Sequence, residues 1–468
     1  MNILAESSDL PFSSATQVAA AIRGGGITSL RLTECILERI DRLNPALNAI
    51  VTLTRDKALA TAKEADKALS RGVLWGPLHG VPLTIKDCFE VAGVRTTAGS
   101  PSLSNHMPDG DAASVARLRD AGAVLLGKTN VPIMAGDWQT YNKVFGTTSN
   151  PWDLERTPGG STGGGAAALA AGYTYLSLGS DIGGSIRVPS HFCGLYGHKT
   201  TLNVIPYRGH IPKSVYHPPL LTVAGTLARR PDDLKLALEV LGGPDDEEAK
   251  AYSWTLPPAR GGELSDYRLG YVVDHSACPL TAEVADLVQG AVEKLEDNVA
   301  TIEEGWPEGV DPVKQWTTYR FLLGSVYASF LKDDGLEEKR LEAEEQNGGY
   351  EAIVAKAWTA PHKHFQFAHA ERMHAMAAWR GFFEDHDAMV MPVAFTPAFP
   401  HDHSQPFWSR RIPTPSGPRA YEDLYFWVSF ATLSGLPATV APIGRTPTGL
   451  PVGIQIIGPY MEDATPID

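Results

Sequence analysis

The stretch TPGGSTGGGAAALAAGYTYLSLGSDIGGSIRVPS, residues 157–190, holds two serines that each follow a glycine pair: Ser161 after Gly159-Gly160, and Ser185 after Gly183-Gly184. Between them TYLSLGSD, starting at Thr174, is apolar and β-rich. A strand is therefore expected to deliver the chain to Asp181-Ile182-Gly183-Gly184-Ser185. Glycines at that point let successive backbone N–H groups converge, which makes an anion-binding concavity suited to an oxyanion hole. Ser185, at its edge, is then placed to attack a carbonyl carbon. A plain glycine-rich turn, with the serine only capping the next helix, stays open on these residues alone.

Two other motifs compete for the same glycines. Gly163-Gly164-Gly165-Ala166-Ala167-Ala168 fits G-x-G-x-x-A, with Asp181 further on. A dinucleotide fingerprint needs a strand immediately before its glycines, and DLERTPGG is not one. Gly159-Gly160-Ser161-Thr162-Gly163 fits the G-x-S-x-G elbow, which needs the same missing strand. Fourteen histidines leave a histidine partner for that elbow open.

Working outward, helix and strand alternate to about residue 210 and predict an α/β sheet covered on both faces. Leu32, Cys35, Ile36, Ile40 and Leu43 recur at helical spacing, with Ser29 as the expected N-cap and Pro45 after the end. GVPLTIKD, from Gly80, reads as a buried strand running into Lys86. DAASVARLRDAGAVLLGKTN reads as helix, a stop at Gly122, then a strand at 124–126. Residues 240–420 differ. Charged runs, DDEEAK and 333–345, predict solvated faces. Trp316, Tyr319, Leu323, Val326, Tyr327 and Phe330 form a helical stripe that predicts core packing. MVMPVAFTPAFPHDHSQPFWSRRIPTPSGP predicts a long structured loop, and LPVGIQIIG a late strand. No internal repeat or linker divides the chain, so 1–468 is read as a single large domain.

Composition narrows the function. With 43% hydrophobic and 20% charged residues the chain can bury a sizeable core. A net charge of −14 argues against a free-standing nucleic-acid binder. The opening MNILAESSDLPFSSA lacks the basic and apolar regions of a secretory leader, and no apolar run is long enough for a membrane helix. Cys35, Cys88, Cys193 and Cys278 are scattered without C-x-x-C spacing, which fits reduced thiols and a cytoplasmic location. His401-Asp402-His403 and the pair His362/His364 lack a third ligand at familiar spacing, so no metal is expected and these are read as loop histidines.

The whole arrangement resembles the amidase signature family. The likeness rests on Gly159-Gly160-Ser161, Gly163-Gly164, Ala166 to Gly172, Gly179-Ser180-Asp181, Gly183-Gly184-Ser185, Arg187, Pro189, Gly194 and Gly197. GPLHGVPLTIKD around Lys86, LLGKTNVP, NPWD and GLPVGIQIIGP agree with it. It spans residues 15–215 and 430–463. The resemblance implies an α/β fold with a mixed central sheet in a single domain, within which 240–420 is a variable substrate-pocket region. It implies a Ser–cis-Ser–Lys triad without histidine, metal or cofactor. Ser185 matches the acyl-accepting serine, Ser161 the middle serine after a cis peptide, and Lys86 the base. Ile182, Gly183, Gly184 and Ser185 match the oxyanion-hole amides, and Ala135 and Ser161 match substrate-binding positions.

The implied activity is hydrolysis of carboxylic amides, with anilides, esters or carbamates as further substrates. The alternative is the glutamine-hydrolysing A-type subunit of a tRNA-dependent amidotransferase. The expected partner is a small apolar or aromatic substrate, with a homodimer left open. As a base Lys86 must be buried and neutral at rest. Asp87 is expected on the opposite face as a structural group, and Asp181 and Arg187 are expected to brace the nest. Trp138, Tyr141, Phe407, Trp408, Tyr425, Phe426 and Trp427 are the candidate pocket aromatics, and 333–349 a candidate cover. Thr162 replaces the family's usual second serine, Lys199-Thr200 a lysine-proline pair, and a chain end soon after IIGP predicts a shortened or unusual terminus.

Overall fold

The computed structural model describes residues 10–212, 220–328, 339–340 and 350–468. Its strands are β1 (Ile50–Leu53), β2 (Pro82–Lys86), β3 (Val124–Thr129), β4 (Tyr141–Asn142), β5 (Gly146–Thr147), β6 (Ser177–Asp181), β7 (Tyr196–Lys199) and β8 (Val223–Ala228). They continue with β9 (Arg268–Tyr271), β10 (Thr301–Glu304), β11 (Ala388–Pro392), β12 (Arg411–Ile412), β13 (Arg419–Ala420), β14 (Ala438–Arg445) and β15 (Pro451–Ile457). Eleven of them form one mixed sheet in the order β1-β3-β2-β6-β8-β7-β14-β15-β11-β9-β10. The pairs β4–β5 and β12–β13 stand apart as small hairpins. Helices flank the sheet, as its alternating pattern predicts. No helix among the described residues is long and apolar enough to cross a membrane.

The glycine-rich run at 163–170 forms a helix in which every residue is buried. Its small side chains let it lie almost in contact with neighbouring backbone. A Cβ on Gly164 would stand 2.5 Å from the Asn130 nitrogen. These glycines serve close packing, and the strand required by a nucleotide fingerprint or a hydrolase elbow is absent before them.

β2 and β6 are parallel neighbours, with Thr84 opposite Ser177 and Ile85 opposite Leu178. Their carboxyl ends therefore lie side by side, and Lys86 and Asp181 close the two strands. In open α/β sheets this is where ligands gather, because the strand ends leave a crevice.

The C-terminal half is tied to this point by one fully buried ion pair. Asp181 Oδ1 accepts from Arg187 Nη2 at 2.9 Å. The same guanidinium donates to Val428 O, Thr432 Oγ1 and Gln455 Oε1. Burial alone would raise the Asp181 pKa, but the Arg187 charge and its hydrogen bonds outweigh burial and hold it at about 2.

Several expectations change. The helix Ser29–Leu47 is capped by Thr28, whose Oγ1 accepts from Arg31 N, because the Ser29 hydroxyl is committed to Gly80 O at 2.7 Å. Pro45 lies inside that helix, not after it. It removes one backbone bond near the end, and Asn44 Oδ1 closes the turn by accepting from Ala49 N and Ile50 N. His362 and His364 sit at the start of the helix His362–Asp385, not in a loop. In the aromatic stripe Tyr319 and Leu323 are fully buried in the helix Pro312–Ala328, whereas Phe330 lies outside the described residues. So does the segment 333–349 apart from Lys339 and Arg340.

Breaking the central pair should be costly. Arg187→Leu leaves the Asp181 carboxylate buried without its cation and is expected to destabilise the protein by about 3–5 kcal/mol. A shift of the urea midpoint to lower concentration reads this. The pKa of Asp181 is depressed in the folded state, so the parent's contribution is full above the ordinary value of 3.8 and is lost as pH falls through about 2. The variant should lack that acid-side loss.

Candidate active site

Lys86 extends from the end of β2 into the interior and is fully buried. Its Nζ lies 2.7 Å from Ser161 Oγ and 3.0 Å from Ser180 Oγ, with Ser180 O at 3.4 Å. Burial pushes its pKa down to about 8, while the nearby Cys88 and Asp181 oppose the fall. The fall is in the direction that a base working near neutrality needs. Asp87 takes the other side, as strand alternation predicts. It accepts from Thr97 N and Oγ1 and lies 3.2 Å from the buried Lys128 ammonium.

Ser161 follows a cis Gly160–Ser161 peptide and is buried. Gly160 has no room for a side chain: a Cβ would stand 2.9 Å from Trp138 Cα. Thr162 Oγ1 donates to Ser180 O at 3.4 Å, so the threonine still supplies a hydroxyl there.

The turn 182–186 is shaped by Asp181. Its carboxylate accepts from Gly184 N and Ile186 N, both at 3.0 Å, and from Arg187 N at 3.3 Å. Gly184 has φ +88°, a conformation glycine adopts without strain. From the other side Tyr319 OH donates to Ile182 O at 2.9 Å, and Trp138 Nε1 donates to Gly183 O at 2.7 Å. A peptide is planar, so a pinned carbonyl aims the next N–H the opposite way. The Gly183–Gly184 peptide thus bridges Trp138 and Asp181. Among the described residues no acceptor meets the N–H of Ile182, Gly183 or Ser185. Gly184 is the exception to the expected set of four, because its N–H is engaged by Asp181.

Ser185 lines a cleft with Ala135, Trp138, Tyr327, Phe407 and Tyr425. Lys86 and Ser161 lie behind it, so the sequence-predicted residues converge from β2, the 157–162 loop and the 181–187 turn. No hydrogen bond joins Ser161 to Ser185 among the described residues. Ala135 lines the same cleft, with φ +57°. Of the aromatics singled out, Trp138, Phe407 and Tyr425 line the cleft. Phe426 and Trp427 are fully buried in the core, and Tyr141 stacks on His403. Asp137, also in the lining, is neutralised by Arg410 Nη1 at 2.8 Å.

Sequence reasoning missed Ser180, Cys88 and His210, which lie behind Lys86. Ser180 Oγ is 2.8 Å from His210 Nε2, and Cys88 Sγ is 3.1 Å from the same nitrogen. Cys88 carried a usable signal, since it lies two residues beyond Lys86 at strand spacing. His210 carried none. The four cysteines are free thiols, and no cluster of metal-ligating side chains occurs among the described residues.

A family profile described as Amidase matches residues 31–466. The chain is 32% identical to an acylamidase of Rhodococcus erythropolis, over 97% of this chain and 94% of that one. It is also 32% identical to the A-type chain of the glutamyl-tRNA(Gln) amidotransferase of Moorella thermoacetica, over 98% and 95%. The crystal structure of a bacterial aryl acylamidase of the amidase signature family shares the fold, with a TM-score of 0.81 at 22% identity, covering 98% of this chain and 95% of that one. The chain belongs to the amidase family, the amidase signature hydrolases of amide C–N bonds.

Proposed function

We propose that this amidase works through Lys86 as base, Ser161 as relay and Ser185 as nucleophile. The observation that carries the reading is the 2.7 Å contact of the buried Lys86 Nζ with Ser161 Oγ, with Ser185 alone of the three lining the cleft. Neutral Lys86 takes the Ser161 proton as Ser161 takes that of Ser185. Ser185 Oγ bonds to the substrate carbonyl carbon. The oxyanion is met by the N–H groups of Ile182, Gly183 and Ser185, held ready by the bonds to their neighbours. The relay then runs backwards and protonates the amine as the C–N bond breaks, leaving an ester on Ser185. Water repeats the attack and frees the acid. A missing Ser161–Ser185 bond is compatible with this, because catalytic hydrogen bonds often tighten only once substrate binds.

The substrate is proposed to be an uncharged aromatic or apolar amide. The cleft walls are aromatic, and the carboxylate of Asp137 is already paired. Tyr327 and Phe407 come from the 240–420 region, which supports a role for it in shaping the pocket. Ala135 is proposed to touch substrate through its backbone, and Ser161 to lie beside the bound carbonyl.

Activity should rise with pH through about 8 as Lys86 loses its proton, and the ascending limb of kcat/KM reports it. Lys86→Arg should lose several orders of magnitude in turnover while staying folded, since arginine stays charged; near-normal turnover would remove Lys86 as the base. A fluorophosphonate should label Ser161→Ala slowly and Ser185→Ala not at all, with the label on Ser185 by peptide mapping. An anilide or aryl ester should have a higher kcat/KM than acetamide, and the reverse order would overturn the aromatic reading.

A further inference from the structure

Lys86 can act as a base only if its lone pair faces Ser161. A neutral amine has two N–H donors and one lone pair. Three oxygens surround the Lys86 nitrogen: Ser161 Oγ, Ser180 Oγ and Ser180 O. The carbonyl can only accept. Each hydroxyl can donate or accept, so the two serines compete for the lone pair. If the Ser180 proton turned toward Lys86, Ser161 would have nowhere to deliver its own.

We propose that His210 settles this competition. Its Nε2 lies 2.8 Å from Ser180 Oγ and takes that hydroxyl's proton, so Ser180 accepts from Lys86 and the lone pair is left to Ser161. His210 is thus a positioning residue, acting on the base through Ser180. It reaches the site from the segment after β7 and is not itself one of the residues that line the cleft.

The surroundings of Nε2 agree with an accepting nitrogen. Cys88 Sγ lies 3.1 Å away and Tyr207 Oη 3.4 Å. Nε2 has one lone pair, and the Ser180 hydroxyl, the stronger donor at 2.8 Å, takes it ahead of the weakly donating thiol. Burial raises the Cys88 pKa, so the thiol stays uncharged beside the ring. Burial and the positive charge of Lys86 lower the His210 pKa well below its usual value, so the imidazole stays neutral and Nε2 keeps its lone pair. Edge-on packing against Phe89, at 4.7 Å between ring centroids, holds the ring.

The inference rests on Lys86 as the base, and a double-mutant cycle on the full chain separates the two ideas. His210→Phe should lower kcat on the order of 10- to 100-fold, the scale of a misaligned catalytic group, with KM unchanged. His210→Gln, which can place an amide oxygen near Ser180, should recover most of the loss. In a Ser180→Ala background His210→Phe should add almost nothing, since no hydroxyl remains to be misdirected. Additive losses, or equal losses for Phe and Gln, would overturn the proposal. If Lys86→Arg is inactive and His210→Phe is unimpaired, the base stands and the positioning role falls. If Lys86→Arg turns over normally, the base reading itself has failed. A measurement needing no variant to be active is 15N NMR of histidine-labelled wild-type protein, with the His210 signal assigned by its loss in His210→Gln. The proton is expected on Nδ1, and a proton on Nε2 would overturn the assignment.

Discussion

An acid and a base sealed in the same interior govern this structure. Asp181 is fully buried at the end of β6 and meets five donors: three backbone amides of its own turn and two atoms of Arg187. A buried carboxylate is tolerable only with a cation and full hydrogen bonding. Both conditions fix shape. The amides wrap the 182–187 turn around the carboxylate, and the guanidinium draws in the helix Tyr425–Leu433 and β15. The nest beside Ser185 is therefore a consequence of satisfying a charge, and the two halves of the chain meet where that charge is satisfied.

The same interior sets the behaviour of Lys86. Desolvation favours the neutral amine, while Asp181 and Cys88 favour the ammonium. A pKa of about 8 is the outcome of that opposition. A deeper depression would make a weaker base, and none would leave the lysine protonated near neutrality. Hydrogen-bond geometry supplies what charge cannot, namely direction. The neighbours of Lys86 nitrogen are all oxygens of serine, and those of Ser180 have partners behind them: Thr162 donates to Ser180 O, and His210 faces Ser180 Oγ.

The aromatic residues do two jobs at once. Trp138 and Tyr319 are buried, yet their polar tips hold the carbonyls of Gly183 and Ile182. Tyr425 packs on Trp138 at 4.0 Å between ring centroids and presents itself to the cleft. Buried Trp and Tyr commonly pair an apolar body with a satisfied donor. Here those donors orient peptides beside the proposed nucleophile, so the cleft wall and the proposed oxyanion site share a framework.

Much of this was legible in the sequence. Strand periodicity located β2, β6 and β15, and the glycine pairs marked the turns beside Ser161 and Ser185, because spacing and glycine chemistry are local properties. Lys86, Ser161 and Ser185 were singled out through the resemblance to the amidase signature family, and Asp87 could be set aside by strand alternation. Helix boundaries were less legible, since Thr28 caps only because Ser29 is occupied by Gly80. The pocket aromatics could not be sorted from composition. Phe426 and Trp427 sit in the core while their neighbour Tyr425 lines the cleft. Which amides of the nest are free was also undecided, because it depends on partners such as Tyr319, 137 residues from the carbonyl it holds. His210 and Ser180 are 30 residues apart and share no motif. The sequence by itself determined which groups arrive at the strand ends, through local periodicity and backbone freedom. Only the tertiary structure decided which way each donor and lone pair faces, because that is set by whichever distant atom packs against it.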